Sequence, residues 1–139
     1  MEMSAAFQSV NIWAVALAAL VYLVIGSLWY SPLLLGNAWM KLKGFTEEDF
    51  KSAKPIWVIM LSTYLFAFLA AFSLAMFLGA ESDWSFGAIA GALVAIFWIS
   101  TSKMANVLYE NQPIKLWMLH AGFDFLAYVA MGTIVGGWH

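Results

Sequence analysis

Four stretches of this chain are each long enough and apolar enough to cross a bilayer, and together they leave room for little else. They run over about residues 12–33, 56–78, 84–107 and 114–136. A span needs about 20 mainly apolar residues. Lipid offers no partner to backbone groups, so a single apolar run of this length can cross only as a helix. The connections are short, apart from residues 37–55. The sequence therefore predicts an all-α, integral membrane four-helix bundle forming one domain over residues 1–139.

Composition agrees. The chain is 64% hydrophobic and 10% charged, whereas a soluble domain is about half apolar and a quarter charged. That excess exceeds what a core of this size can bury. The net charge of -2 and the lack of a basic arm argue against nucleic acid as a partner. No cysteine is present, which excludes disulfides and thiolate chemistry. The first apolar run does not resemble a secretory signal. Glu2 is the only charge before Lys41, and the run exceeds the ~7–15 residues of a signal core. It is expected to remain as a span.

Lysine placement predicts orientation. Lys41, Lys43, Lys51 and Lys54 lie in the first loop, and Lys103 and Lys115 flank the third. The N-terminus, the second loop and the C-terminus carry no Lys or Arg. The positive-inside rule then predicts an N-out/C-out protein. The first loop also predicts a short interfacial helix over about residues 46–53. Thr46 suits its N-cap, and Glu47, Glu48 and Asp49 fall in a first turn where acids complement the helix dipole. Phe45 and Phe50 stand at the staple positions, and Pro55 ends the segment.

Small residues mark where helices approach closely in lipid. Gly87, Gly91 and Ala95 follow at spacing four in the third span, as do Gly132 and Gly136 in the fourth. The first span has Ala14, Ala18 and Gly26. Such faces serve packing within one chain or a homodimer, and four thin helices enclose little by themselves. A homo-oligomer, a dimer, is the expected partner besides the lipid bilayer.

The fourth span carries an acid where lipid tolerates none without help. At about 1.5 Å per residue, His120 lies about 9 Å into it and Asp124 about 15 Å, near the middle of a ~30 Å hydrocarbon core. A lone acid there costs about 2.5–3.5 kcal/mol. Protonation is one remedy and a partner is the other. His120 precedes Asp124 by one turn on the same face, Tyr128 follows at the same spacing, and Lys103 comes from a similar depth on the third span. Ser27, Ser62 and Thr63 sit at comparable depths, while the other half of the membrane is almost wholly apolar. Two readings stand side by side: a polar lock between the third and fourth spans, or a ligand or proton site. A metal centre is not expected, because His120 and Asp124 supply two ligands and the first two spans supply none. No nucleophile set or phosphate loop is visible, so neither enzyme activity nor a cofactor is expected.

Trp29-Tyr30-Ser31-Pro32 closes the first span. Pro32 lacks a donor and disfavours helix at Ser31. The aromatics suit an interface, or a broken helix beside a pocket. This motif is followed by Gly36 and Trp39, and Leu108, Tyr109, Glu110, Pro113, Lys115 and Leu116 precede the last span. In these two stretches the chain resembles the bacterial DUF1761 family of small integral membrane proteins of unknown function. The resemblance covers nearly the whole chain. It implies four spans and a location in the bacterial inner membrane, and it implies no activity. Where that family commonly carries Asn-Ala-Gly-Tyr-His, this chain has His120-Ala121-Gly122-Phe123-Asp124.

The expected function is binding of a small amphiphilic or protonatable ligand in a cytoplasm-facing polar pocket. Its expected residues are His120, Asp124, Lys103, Trp29, Tyr30 and Tyr128. The alternatives are an accessory subunit of a larger membrane complex, with partner proteins on its aromatic faces, and a proton-coupled small-molecule transporter.

Overall fold

The computed structural model describes residues 3–8, 10–31, 34–44 and 54–138. Among these every regular element is a helix: α1 (Met3–Gln8), α2 (Ile12–Trp29), α3 (Gly36–Lys43), α4 (Ile56–Leu78), α5 (Trp84–Tyr109) and α6 (Ile114–Gly137). The helices α2, α4, α5 and α6 are the four long and apolar enough to cross a membrane. Their starts follow from local chemistry. Asn11 caps α2, accepting from Trp13 N at 3.0 Å. Asp83 caps α5, accepting from Phe86 N at 2.8 Å. Pro55 and Pro113 precede α4 and α6, where a missing N–H costs nothing.

The central element is α6, which packs closely on α5 and then on α2. Glycine sets the first of these contacts. A Cβ added at Gly87 would meet the Gly132 carbonyl oxygen, and one at Gly132 would meet that of Gly87. Gly136 is as tight, with Asp83 O 2.7 Å from where its Cβ would stand. The predicted glycine faces are therefore used within one chain. The apolar core is small-residue packing on the other side of α6: Ala14, Val15 and Ala18 of α2 meet Ala71 and Ala75 of α4 over Met131 and Val135. Large side chains point outward instead, with Phe77 69% and Trp98 65% exposed. In water such a surface would aggregate; in lipid it is the solvated face.

Three features differ from the sequence expectation or extend it. First, α2 stops at Trp29 rather than near residue 33. The carbonyls this frees find partners: Leu28 O accepts from Ser31 Oγ at 2.7 Å, and Trp29 O accepts from Leu35 N at 3.0 Å. Ser31 O accepts from Gly36 N at 2.8 Å. Gly36 is needed there, since a Cβ would stand 2.6 Å from the Ser31 carbonyl. Second, the loop that follows contains α3, which the sequence reading did not anticipate. The interfacial helix expected over 46–53 lies outside the described residues.

Third, α5 widens by a residue over Val94–Ile99, where Ser100 N–H bonds to Ala95 O, five residues back. Residues in an α-helix step about 100° apart, so one inserted residue resets the phase of everything after it. The face of α5 buried against α6 reads Gly87, Gly91, Ala95, Ser100 and Val107. Without the wide turn, Ile99 rather than Ser100 would continue that face, and Lys103 would rotate away from α6.

Candidate functional site

The wide turn in α5 delivers Lys103 to Asp124. Lys103 Nζ donates to Asp124 Oδ2 at 2.7 Å. The two side chains differ in setting: Asp124 is 2% exposed and Lys103 39%. The carboxylate is thus sealed inside the bundle, while the lysine side chain borders the cavity at one end. A second bond fixes the same register, with Trp117 Nε1 donating to Ser100 O at 2.7 Å.

His120 does not turn to Asp124, although the two share a face of α6. Its Nδ1 pairs with Tyr30 OH at 2.5 Å. The neighbouring Trp29 Nε1 donates to Leu119 O at 3.0 Å, and its ring lies where Gly122 would carry a Cβ, 2.9 Å away. The aromatic end of α2 is therefore tied inward to α6. Tyr30 also stacks edgewise on Phe123 and on Trp39 of α3, with centroids 5.4 Å apart in both cases.

A cavity of about 250 Å³, lined by polar side chains together with Val107 and Leu116, opens at the lysine-rich end of the bundle. Lys103 and His120 line its inner part, with Lys43 from α3, and Asn106, Glu110 and Gln112 from the end of α5 and the turn after it. Asn111 in that turn has φ 54, the left-handed conformation that lets the chain reverse into Pro113 and α6. Among the described residues, no three His, Asp or Glu side chains come together as a metal cluster.

The six residues expected to form one pocket thus divide. Lys103 and His120 reach the polar cavity. Asp124 holds Lys103 from behind, and Trp29 and Tyr30 brace α6 from the α2 side. Tyr128 lines a different cavity, of about 370 Å³, an apolar groove between α4 and α5 that includes Phe77, Phe86 and Trp98. Six lining residues escaped the sequence reading: the polar Lys43, Asn106, Glu110 and Gln112, and the apolar Val107 and Leu116. So did Tyr22, whose ring meets Phe123 at 5.1 Å and Tyr128 at 6.2 Å. Its signal was present in the spacing, since Tyr22 and Gly26 fall on one face of α2 and Tyr30, its C-cap, follows at the same interval of four. Farther along α6 than Asp124, Met131 is fully buried, as is Val15 of α2.

A family model described as a protein of unknown function, DUF1761, matches residues 13–136. No curated protein and no solved structure matches the chain.

Proposed function

We propose, from the premise that the chain belongs to the DUF1761 family of proteins of unknown function, that it is a membrane-embedded binding module. Its ligand is a small amphiphile whose polar end enters the cavity at the lysine-rich end. The observation that carries this reading is the division of labour at Lys103. One donor is spent on the sealed carboxylate of Asp124, and the rest of the ammonium faces a polar cavity beside His120. A purely structural lock needs no cavity on its open side. The reading places the lysine-rich end in the cytoplasm, with both termini outside, in the inner membrane of a bacterium. It assigns the protein binding rather than catalysis.

Native-lipid extraction followed by mass measurement tests this. Wild-type protein should carry a small amphiphile, and His120→Ala should lose it while remaining folded. Equal retention of the same molecule by both would end the reading.

A second reading concerns assembly. The glycine faces are consumed between α5 and α6, so a homodimer or a larger complex has to use another surface. The groove flanked by Phe77, Phe86 and Trp98 supports that role, because its floor is apolar and its rim aromatic. Size measurement after mild extraction should then shift to the monomer for Phe86→Glu. The transporter alternative has less support, since the buried residues farther along the bundle, Val15 and Met131 among them, are apolar.

A further inference from the structure

The polar cavity contains a pair of opposite charges that do not close on each other. Lys43 enters from the last turn of α3 and Glu110 from the C-cap of α5. Both line the same space of about 250 Å³, yet neither makes an ion pair within 4.0 Å among the described residues, where Lys103–Asp124 is the ion pair found. The inner cation is already neutralised from behind by Asp124. Counting His120 as uncharged, the charges that line the cavity among the described residues therefore balance. A site for a simple anion would show a surplus of cation, and a site for an amine would show a surplus of acid.

The charges are also ordered by depth. Lys103 and His120 stand farther into the bundle, and Glu110 stands two turns outward on α5, at the helix end. The carbonyls of that helix end reinforce the acid, because a helix C-terminus carries partial negative charge. An anion is favoured inside and an ammonium at the rim. An amine-bearing phospholipid presents its groups in this order, with the phosphate next to the hydrocarbon and the amine outside it.

Resting on the cavity reading above, we propose that the ligand is zwitterionic: a phosphodiester or phosphomonoester with an ammonium group two carbons away. Its phosphate meets Lys103, His120 and Lys43, and its ammonium meets Glu110. The amides of Asn106 and Gln112 satisfy the remaining phosphate oxygens. A lipid headgroup and free phosphoethanolamine share this chemistry.

The test uses the full chain in detergent, with bound ligand read by native mass spectrometry. The probes are dioctanoyl phosphatidylethanolamine, dioctanoyl phosphatidylglycerol and phosphoethanolamine. Wild-type protein should prefer the ethanolamine lipid over the glycerol lipid by about tenfold, the worth of one charged hydrogen bond. Glu110→Gln should abolish that preference, and Lys43→Gln should weaken both lipids. Both side chains are exposed, so both variants should fold as wild type does. Displacement by phosphoethanolamine supports a soluble ligand, and failure to displace supports the lipid. Equal affinity for the two lipids, or a preference that survives Glu110→Gln, overturns the zwitterion. If lipid binding is unselective but still falls in Lys43→Gln, the zwitterion fails and the cavity reading stands. If neither Lys43→Gln nor His120→Ala alters binding of any probe, both fail.

Discussion

Removing either member of the Lys103–Asp124 pair should not cost the same, and the difference follows from burial. Lys103→Met leaves a carboxylate that is 2% exposed, near the middle of the bundle, with no cation beside it. An unsupported Asp at a helix centre in lipid costs about 2.5–3.5 kcal/mol. Part of that is recovered by local relaxation, so a loss of about 2 kcal/mol is expected. Asp124→Asn leaves a lysine whose side chain is 39% exposed and already borders the cavity. It can swing outward and hydrate, so the loss should stay near that of one interhelical polar contact, about 0.6–1.7 kcal/mol. The double variant Lys103→Met with Asp124→Asn should be more stable than Lys103→Met alone, giving a coupling of about 1 kcal/mol. Equilibrium unfolding in mixed detergent micelles, followed by tryptophan fluorescence, measures all four corners of the cycle. Effects that add within about 0.3 kcal/mol would show that the pair is not formed. A larger loss for Asp124→Asn than for Lys103→Met would refute the argument from burial.

Other perturbations probe the frame around this pair. Gly132→Ala pushes a methyl against the Gly87 carbonyl, so α5 and α6 must separate; a loss of about 1–3 kcal/mol is expected in the same unfolding assay. Asp83 should make the start of α5 acid-sensitive. The Phe86 N–H at 2.8 Å and the Ser85 hydroxyl at 2.9 Å hold its carboxyl below the ordinary value of 3.8. A depressed folded value means stability that is present above the unfolded pKa and lost as pH falls through the folded one. Melting curves of wild type should therefore drop in acid more than those of Asp83→Asn, which keeps a cap without the titration. The chain has no cysteine, so orientation can be read from single introduced thiols. Ala80→Cys should react with an impermeant maleimide on intact cells, and Asn111→Cys should react only after lysis.

Much of the architecture was legible because lipid solvation is a property of each segment by itself. The spans at 56–78, 84–109 and 114–137 nearly match the apolar runs, since length and hydropathy decide crossing without reference to neighbours. The early stop of α2 was written into Ser31-Pro32, yet the apolar Leu33, Leu34 and Leu35 pulled the expected boundary outward. The glycine spacing announced that helices would touch, though not whether within one chain.

The site was legible in kind and not in detail. Asp124 needed a partner, and His120 and Lys103 were both within reach along the sequence. Which one it took depended on rotation about the α5 axis, and the wide turn at Val94–Ile99 set that rotation. No local pattern forecast it, because an apolar run reads the same with or without an inserted residue. The pairing of Tyr30 with His120, and the meeting of Lys43 with Glu110 around one cavity, are likewise contacts between helices distant in the chain. The sequence by itself determined how many times the chain can cross the bilayer, because each crossing is a transfer of one segment into lipid. Only the tertiary structure decided which polar groups face one another, because that is a matter of helix phase, and in the third span phase is reset by the wide turn at Val94–Ile99.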